Sequence, residues 1–251
     1  MGFVNNQTDT LFADVSEFNP VVTDEYTDAG YRVLSIRSND GTYQDHHFAA
    51  NYAWCAQAAD DGRLDCFIVY AYWRPNWLDT VTTMRSMITA AGGPHPKMVL
   101  MLDVESGGNP PGDQSDGVNR MYWNLVDWIK TPERIIGYAN AGDLATLWPT
   151  RPDGIRLIGA GYGQNPELPG QIAHQYTDGL VGADQGLPMG VNPFGTCDMN
   201  CADGLSSVAF AQALGVDPHA APPPVPVTLP ELPLDDSIYA AANAIAAQFQ
   251  A

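Results

Sequence analysis

Short apolar blocks alternate with polar, Gly-rich and Pro-rich blocks along the first 215 residues. Blocks rich in Val, Ile, Leu and aromatic side chains, and ended by Ser, Gly, Asn or Asp, are typical of buried strands. The pattern predicts strands at residues 11–15, 31–37, 65–74, 98–102, 134–139, 155–160, 171–178 and 195–200.

Apolar residues at helical spacing fill most of the segments between these strands. The predicted helices span residues 48–60, 78–91, 117–130, 141–148 and 205–214. A strand followed by a helix, repeated along one chain, favours parallel strands joined by right-handed crossovers. The pattern therefore predicts an α/β fold, a TIM-like β/α barrel whose C-terminal part lacks some of the helices.

The pattern changes near residue 216 and divides the chain into three predicted segments. Residues 1–215 form the barrel domain. Residues 216–234 carry many prolines, which favour an extended and stiff linker. Residues 235–251 are rich in Ala, with apolar residues on one helical face. This last segment is predicted to be a C-terminal helix or the stub of a further module.

Two carboxylic acids follow the most apolar of the predicted strands. Residues 98–102 are all apolar, and Asp103 and Glu105 come directly after them. Side chains two positions apart on a strand point to the same side, which places the two Cα atoms roughly 6.6 Å apart. Two acids beside a buried strand should have separated pKa values, one charged and one protonated near neutral pH. The pair is suited to cleaving a glycosidic bond. A solvated strand end that carries two acids by chance is the alternative.

Polar and aromatic side chains also occur at the ends of other predicted strands. Asp14 ends the first strand, and Asp198 and Asn200 share one face of the last. Acids at strand ends are common catalytic groups in barrel folds, whereas Asp14 taken alone could be a turn residue. Tyr70 and Tyr72 share one face of the third strand and are suited to stacking on sugar rings. Ordinary core packing is the alternative for these two tyrosines.

The charge of the chain narrows the class of ligand. Its 29 acidic and 11 basic residues give a formal net charge of -18. Nucleic acid and anionic membranes repel such a protein, which favours a neutral, cationic or polymeric substrate. No apolar run approaches the ~20 residues of a membrane helix. Residues 1–7 lack the basic region and apolar core of a secretory signal. We therefore predict no nucleic-acid partner, no membrane insertion and no signal peptide.

The cysteines leave the redox state of the protein open. Cys55, Cys66, Cys197 and Cys201 lack the paired spacing of a structural zinc site. Two disulfides, Cys55 with Cys66 and Cys197 with Cys201, are one interpretation. Four free thiols are the other.

The sequence gives no sign of a metal or cofactor. The adjacent His46 and His47 have no third ligand at helical spacing. Residues 159–163 are Gly-rich but lack the G-x-G-x-x-G spacing of a dinucleotide loop. We therefore predict no metal and no cofactor.

Five short motifs occur in the order and at the separations found in one enzyme family. On these motifs the sequence resembles the glycoside hydrolase family 25 lysozymes, muramidases that are common among phage endolysins. His174 stands where the family has Trp. The matching stretches are Asp14-Val-Ser-Glu-Phe18, residues 37–45, Leu102-Asp-Val-Glu105, Gln175-Tyr-Thr-Asp178 and Asp198-Met-Asn200.

The resemblance implies a fold and a reaction. The fold is a flattened β/α barrel with eight strands and roughly five helices. The reaction is hydrolysis of the β-1,4 bond from N-acetylmuramic acid to N-acetylglucosamine in peptidoglycan. Glu105 matches the family's proton donor, and Asp103 matches the neighbouring acid that supports the substrate's acetamido group. Asp14 and Asp198 match the acids that flank the same cleft.

The same resemblance implies where substrate binds and where the protein acts. Tyr70 and Tyr176 match cleft aromatics, and Tyr72 and Asn200 are expected to bind substrate beside them. The expected partner is the peptidoglycan glycan strand, with further lysin modules beyond the linker. The resemblance to endolysins implies that the protein is made in the cytoplasm of a phage host and released without a signal peptide. It then acts on the bacterial cell wall during cytolysis.

Alternatives stay open at this point. A chitinase-like glycosidase would carry a longer D-x-x-D-x-D-x-E motif, but residues 98–102 are all apolar. A carbohydrate-binding barrel without activity is the second alternative, and the presence of all four acids disfavours it. Within the muramidase interpretation, Asp103 supplies the stabilising charge, or the acetamido oxygen is the nucleophile and Asp103 supports it.

Overall fold

A computed structural model describes residues 9–182 and 186–220. Eight strands form a closed barrel in the described residues, because the first strand pairs with both the second and the last. The predicted linker beyond residue 220 and the predicted C-terminal helix lie outside the described residues. In order around the barrel, the strands are β1 (Thr10–Val15), β2 (Val33–Asp40), β4 (Cys66–Tyr72), β5 (Met98–Asp103), β6 (Ile135–Asn140), β7 (Arg156–Ala160), β8 (Gln171–Thr177) and β11 (Asp198–Ala202).

Three short strands lie outside the barrel. β3 (Tyr43–Gln44) extends the sheet beside the end of β2. β9 (Gly190–Val191) and β10 (Gly195–Thr196) form a separate hairpin. The predicted strand at 195–200 is therefore two elements, since its first residues belong to the hairpin and only Asp198 onwards joins the barrel.

Strand β11 is the exception to the parallel arrangement that the repeated strand–helix units predict. It pairs antiparallel with both β1 and β8, while the other six pairings around the barrel are parallel. A parallel pair needs a long crossover, usually a helix, and no helix is described between β8 and β11. The reversal places the first residue of β11 at the same barrel end as the last residues of the parallel strands.

Six α-helices surround or close the barrel in the described part of the chain. None of them lies between β7 and β8, as the sequence predicts for the C-terminal part of the barrel. No described helix has the length and apolarity needed to cross a membrane. The helices are α1 (Glu25–Asp28), α2 (Phe48–Asp60), α3 (Trp77–Ala90), α4 (Ser115–Ile129), α5 (Ala141–Thr146) and α6 (Ser207–Ala213), with one 3₁₀ turn at Pro132–Arg134.

The core has two layers, because alternate residues of each strand face the barrel interior or the helices. On β4, Ile68 and Tyr70 belong to the inner cluster, and Phe67 and Val69 belong to the outer one. The outer layer contains the helix side chains of α2, α3 and α4. A side chain's place in this alternation therefore decides whether it can reach the barrel interior.

Helix α6 closes one end of the barrel. Its Phe210 packs on Phe12 of β1 with ring centroids 5.4 Å apart, and Leu214 joins the same inner cluster. Phe12 precedes Asp14 on β1, so the closed end lies at the start of the parallel strands. The opposite end, where the parallel strands finish, is the end left for a site.

The four cysteines are free thiols, and all four are buried. Cys66 lies in the inner cluster, whereas Cys55, Cys197 and Cys201 lie in the outer one. The structure thus decides between the two interpretations of the sequence in favour of thiols.

Candidate active site

Four carboxyl groups meet in one cavity at the open end of the barrel. The cavity has a volume of about 120 Å³. A larger cavity of about 400 Å³ lies at the other end, beside the start of β1 and α6, and contains none of the four. The acid cavity is lined by Asp14, Tyr70, Met101, Asp103, Glu105, Tyr138, Tyr162, Gln175 and Asp198.

Asp14 and Asp198 enter this cavity from neighbouring strands. They are register partners on antiparallel β1 and β11. Burial raises the pKa of Asp14 to about 6, against hydrogen bonds from Ser35 and Tyr70. Ser35 Oγ donates to Asp14 Oδ2 at 2.8 Å. Burial and the charge of Asp14 raise the pKa of Asp198 to about 8.

Asp103 and Glu105 enter from the end of β5. Asp103 is the last residue of the strand and Glu105 lies just beyond it, so the acid pair spans the strand end. Burial, together with the charges of Glu105 and Asp14, raises the pKa of Asp103 well above its usual range. Burial also raises the pKa of Glu105, and Asp143 adds to the rise. The two pKa values do not move apart in opposite directions, because burial disfavours both anions.

Two side chains at and just after the end of β4 hold the loop that carries Glu105. Tyr72 Oη donates to the carbonyl oxygen of Gly107 at 2.8 Å, and Arg74 Nη1 donates to the same oxygen at 2.9 Å. Asn109 Nδ2 donates to the carbonyl oxygen of Glu105 at 2.7 Å. A Cβ on Gly107 would lie 2.7 Å from Tyr72 Oη, so a larger residue there would displace the Tyr72 hydroxyl group.

Arg37 is the cation whose positive charge lowers the pKa values of Asp14 and Asp103. It follows Ser35 on the same face of β2, and its charge opposes the rise in pKa of Asp14 and Asp103. Arg37 Nε lies 3.0 Å from Asp45 Oδ2, and Arg37 Nη2 lies 3.5 Å from Glu17 Oε1. These two carboxylates fix the guanidinium beside the cavity.

The predicted tyrosines of β4 have different positions. Tyr70 lines the acid cavity. Tyr72 is half-buried, and Arg74 covers its ring at 4.5 Å from the centroid. Since its hydroxyl donates to Gly107, the structure gives Tyr72 a supporting place under the Glu105 loop.

Tyr176 is a correction to the predicted site. It is fully buried in the outer cluster, and its hydroxyl donates to the carbonyl oxygen of Pro188 at 2.7 Å. Because Gln175 points into the barrel, the next residue on β8 must point away from it. His174 is likewise buried outside the barrel, beside Asp203 at 3.0 Å, so it forms no wall of the cavity.

Asn200 is a second correction. It lies on the inner face of β11, two residues after Asp198, and its register partners are Phe12 and Gln175. It has no exposed surface, and its Nδ2 donates to the carbonyl oxygen of Phe12 at 3.4 Å. A fully covered side chain does not contact a substrate, so Asn200 supports the floor of the cavity.

Four cavity residues were absent from the predicted site, namely the apolar Met101 and the polar Tyr138, Tyr162 and Gln175. Gln175 connects the two tyrosines, since its Oε1 accepts from Tyr138 at 2.7 Å and from Tyr162 at 3.4 Å. Gln175 Nε2 also lies 3.5 Å from Asp198 Oδ2. The signal for Gln175 was its place in the Q-Y-T-D motif. Tyr138 lies in the second half of β6 and Tyr162 follows the end of β7, near the barrel end where site residues are placed.

A second cavity extends the site past Glu105. Its volume is about 200 Å³, and it shares Glu105, Tyr138 and Tyr162 with the acid cavity. Tyr162 is 44% exposed, so its ring is available at the surface. The two cavities thus adjoin at Glu105, Tyr138 and Tyr162.

One group of possible metal ligands occurs among the described residues. Asp9, Cys201 and Asp203 have ligand atoms within 4.8 Å of one another. Gly204 N donates to Asp9 Oδ1 at 2.7 Å, and Cys201 Sγ lies 3.2 Å from Asp203 Oδ1. The group lies at the closed end of the barrel, away from the four acids, and it ties the end of β11 to the start of β1.

Comparison with known proteins gives one close sequence relative. No protein-family model matches the chain. The uncharacterized protein Rv3766 of Mycobacterium tuberculosis is 60% identical over 215 residues, which cover 86% of this chain and 77% of the relative. An identity this high over most of both chains shows a common family.

Solved structures give the fold. A family 25 glycosyl hydrolase from Bacillus anthracis has a TM-score of 0.63 at 15% identity, covering 84% of this chain and 96% of that one. The catalytic domain of endolysin ply40 from Listeria monocytogenes bacteriophage P40 has a TM-score of 0.61 at 19% identity, with coverage of 84% and 100%. A family GH25 lysozyme from Aspergillus fumigatus has a TM-score of 0.53 at 18% identity, with coverage of 82% and 99%. The chain therefore belongs to the family of the Mycobacterium tuberculosis protein Rv3766, and its fold is that of the glycoside hydrolase family 25 lysozymes.

Proposed function

We propose that this protein is a peptidoglycan hydrolase that cleaves the β-1,4 bond from N-acetylmuramic acid to N-acetylglucosamine. The observation that carries the proposal is the meeting of Asp14, Asp103, Glu105 and Asp198 in one cavity at the open end of the barrel. Glycosidases act through carboxyl groups of this kind, of which one must be protonated before the reaction.

Glu105 is the proton donor in this proposal. The leaving sugar oxygen needs a proton, and burial raises the pKa of the Glu105 carboxyl group, which favours its protonated form. Glu105 is also shared by both cavities, so sugars on either side of it can occupy one continuous cleft. The scissile bond would lie where the two cavities meet.

Asp103 supports the substrate beside the reacting carbon. It lines the acid cavity and keeps 7% of its surface accessible. A buried carboxyl group gains from a hydrogen-bond partner that a ligand supplies. The N–H of an acetamido group on the sugar is a suitable donor. Its binding to Asp103 would orient the acetamido oxygen toward the anomeric carbon, in a substrate-assisted reaction.

Asp14 and Asp198 also line the cleft, and their carboxyl groups differ in protonation. With pKa values of about 6 and about 8, Asp14 is mostly charged at pH 7 and Asp198 is mostly neutral. Asp14 can therefore accept hydrogen bonds from sugar hydroxyls, and Asp198 can donate one. Tyr162, exposed at the edge of the second cavity, offers an aromatic face to a sugar ring.

Binding must rely on these short-range contacts. The net charge of -18 gives no long-range attraction to an acidic wall polymer. The place of action in this proposal is the bacterial cell wall. Release from a phage-infected cell, and further lysin modules beyond the linker, stay predictions.

The test is product analysis after digestion of purified peptidoglycan, with Glu105→Gln as the matched control. New reducing ends on N-acetylmuramic acid, absent with the variant, are the expected result. Reducing ends on N-acetylglucosamine would show that the enzyme is a glucosaminidase and not a muramidase. Binding to walls without any new reducing ends would leave the carbohydrate-binding barrel as the function.

A further inference from the structure

Asp143 lies beside the acid site but outside every motif of the sequence. It is 6% exposed and stands in the first turn of α5. Its Oδ2 accepts from Asn140 Nδ2 at 2.7 Å, and its backbone N–H donates to Asn140 Oδ1 at 2.9 Å. This reciprocal pair fixes the Asp143 carboxylate in one orientation.

The fixed carboxylate reaches the segment that carries Glu105. Asp143 Oδ2 also accepts from the backbone N–H of Ser106 at 3.2 Å. Ser106 follows Glu105 directly, so the hydrogen bond holds the peptide unit that joins these two residues. Asn140, the partner of Asp143, lines the second cavity together with Glu105.

We propose that Asp143 is a positioning residue for Glu105, which fixes the backbone that follows Glu105 and places a negative charge beside its carboxyl group. The inference rests on the proposed function, in which Glu105 donates a proton to the leaving sugar. It is separate from the support that β4 gives to the same loop, because Tyr72 and Arg74 bind the carbonyl oxygen of Gly107.

The other groups around Glu105 act in both directions. Burial is the main cause of its raised pKa, and the charge of Asp143 is the next. The nearby hydroxyl groups of Tyr138 and Tyr72 oppose the rise in the pKa of Glu105. The remaining titratable groups that interact with Glu105 are Asp14, Asp103, Tyr162 and Asp198.

Asp143→Asn separates the charge from the contact. The amide keeps an oxygen that can accept from Ser106 N–H, while the negative charge is removed. Asp143→Ser, also neutral and able to accept a hydrogen bond, is the second variant in case the first does not fold. Asp127→Asn is the matched control, because Asp127 is an exposed acid of α4 paired with Lys130.

The first readout is the titration of Glu105 by NMR in full-length protein labelled with ¹³C at the glutamate carboxyl groups. The chain has few glutamates, and Glu105→Gln assigns the signal. We expect the midpoint of the Glu105 signal to move to lower pH in Asp143→Asn and to stay in place in Asp127→Asn. An unchanged midpoint in both folded Asp143 variants would overturn the inference.

The second readout is the pH profile of wall digestion. A proton donor with a lowered pKa loses its proton earlier, so the alkaline limb of kcat/KM should move to lower pH, with a loss of about 3- to 10-fold above it. A purely structural role would lower kcat at every pH and leave the limb in place, which would contradict the inference. If the wild type digests no wall, the proposed function fails, while the NMR titration still decides the role of Asp143.

Discussion

Asp14 and Asp198 are direct register partners on the first and last strands of the barrel, and both carboxyl groups face the same cavity. Carboxyl groups opposite each other on one face of a sheet lie close enough to interact. The fold thus holds two acids in a place where burial disfavours their charged forms. A site of this kind should reduce stability in the pH range where the acids must ionise.

Replacing Asp198 by Asn should therefore stabilise the protein at pH 8. The folded-state pKa of about 8 lies above the ordinary value of 3.8, so the folded state holds the proton more tightly. The stability that Asp198 contributes is fully present below the ordinary pKa and is lost as pH rises toward 8. We expect Asp198→Asn to raise the free energy of unfolding by about 1–3 kcal/mol at pH 8, and to change it little at pH 4.

Urea denaturation of both proteins at the two pH values measures this difference. Asp116→Asn, which removes an exposed acid from the first turn of α4, is the control and should have a small effect at either pH. An equal effect of Asp198→Asn at pH 4 and pH 8 would show that its carboxyl group does not titrate abnormally.

Ser35→Ala should move the acidic limb of activity to higher pH. The Ser35 hydroxyl donates to the Asp14 carboxylate at 2.8 Å and so stabilises its charged form. Without this donor the pKa of Asp14 should rise above about 6. The limb follows Asp14 if its carboxylate binds substrate. The profile of kcat/KM against pH is the measurement.

Ser38→Ala is the matched control, because Ser38 is another buried serine of β2, whose hydroxyl donates to the carbonyl oxygen of Tyr70 at 2.8 Å. Both variants lose a buried hydrogen bond, so both lose stability. Only Ser35→Ala should move the limb. A limb that moves equally in the two variants would rule out a specific role for the Ser35 contact.

Two tyrosines near β8 should give opposite results. Tyr162→Ala removes an exposed ring at the edge of the cleft and should raise KM by about 3- to 10-fold with little loss of stability. Tyr176→Phe removes a hydroxyl that donates to Pro188 outside the barrel. It should lower the free energy of unfolding by about 1 kcal/mol and leave kcat and KM unchanged. A rise in KM in Tyr176→Phe would show that the Tyr176 hydroxyl group contributes to substrate binding after all.

Arg37→Gln should affect both stability and titration. Its guanidinium pairs with Asp45, whose side chain is 1% exposed, and losing a partner from a buried pair typically costs about 3–5 kcal/mol. The pKa of Asp14 should also rise, since Arg37 opposes that rise. Urea denaturation and the acidic limb of kcat/KM are the two measurements. Arg120→Gln, in an exposed pair with Asp116, should change neither by a measurable amount.

Local patterns predicted the elements of the fold and the acids at strand ends. Helix α2 spans the predicted residues 48–60, because helical periodicity is a property of a short stretch. Asp103 and Glu105 were found in the same way, since an apolar run followed by two acids is visible in the sequence alone. The barrel strands from β1 to β8 pair in parallel, as predicted. A crossover that contains a helix or a loop joins each of these strands to the next.

Relationships between distant elements could not be predicted in this way. The alternation along β8 shows that Gln175 and Tyr176 face opposite sides, but it does not show which side is the barrel interior. That choice depends on pairing with β7 and β11. Asp143 acts on Glu105 through a contact between the end of β5 and α5, and no motif of the sequence joins the two.

The position of β11 between β1 and β8 has a consequence for biosynthesis. Until residue 198 has been made, β1 has β2 on one side and an open edge on the other. A nascent or prematurely ended chain then holds Asp14, Asp103 and Glu105 without the carboxyl group of Asp198, and without the strand that closes the barrel around them. Any activity that needs the four carboxyl groups together would thus belong to the finished barrel alone, and incomplete products would lack it.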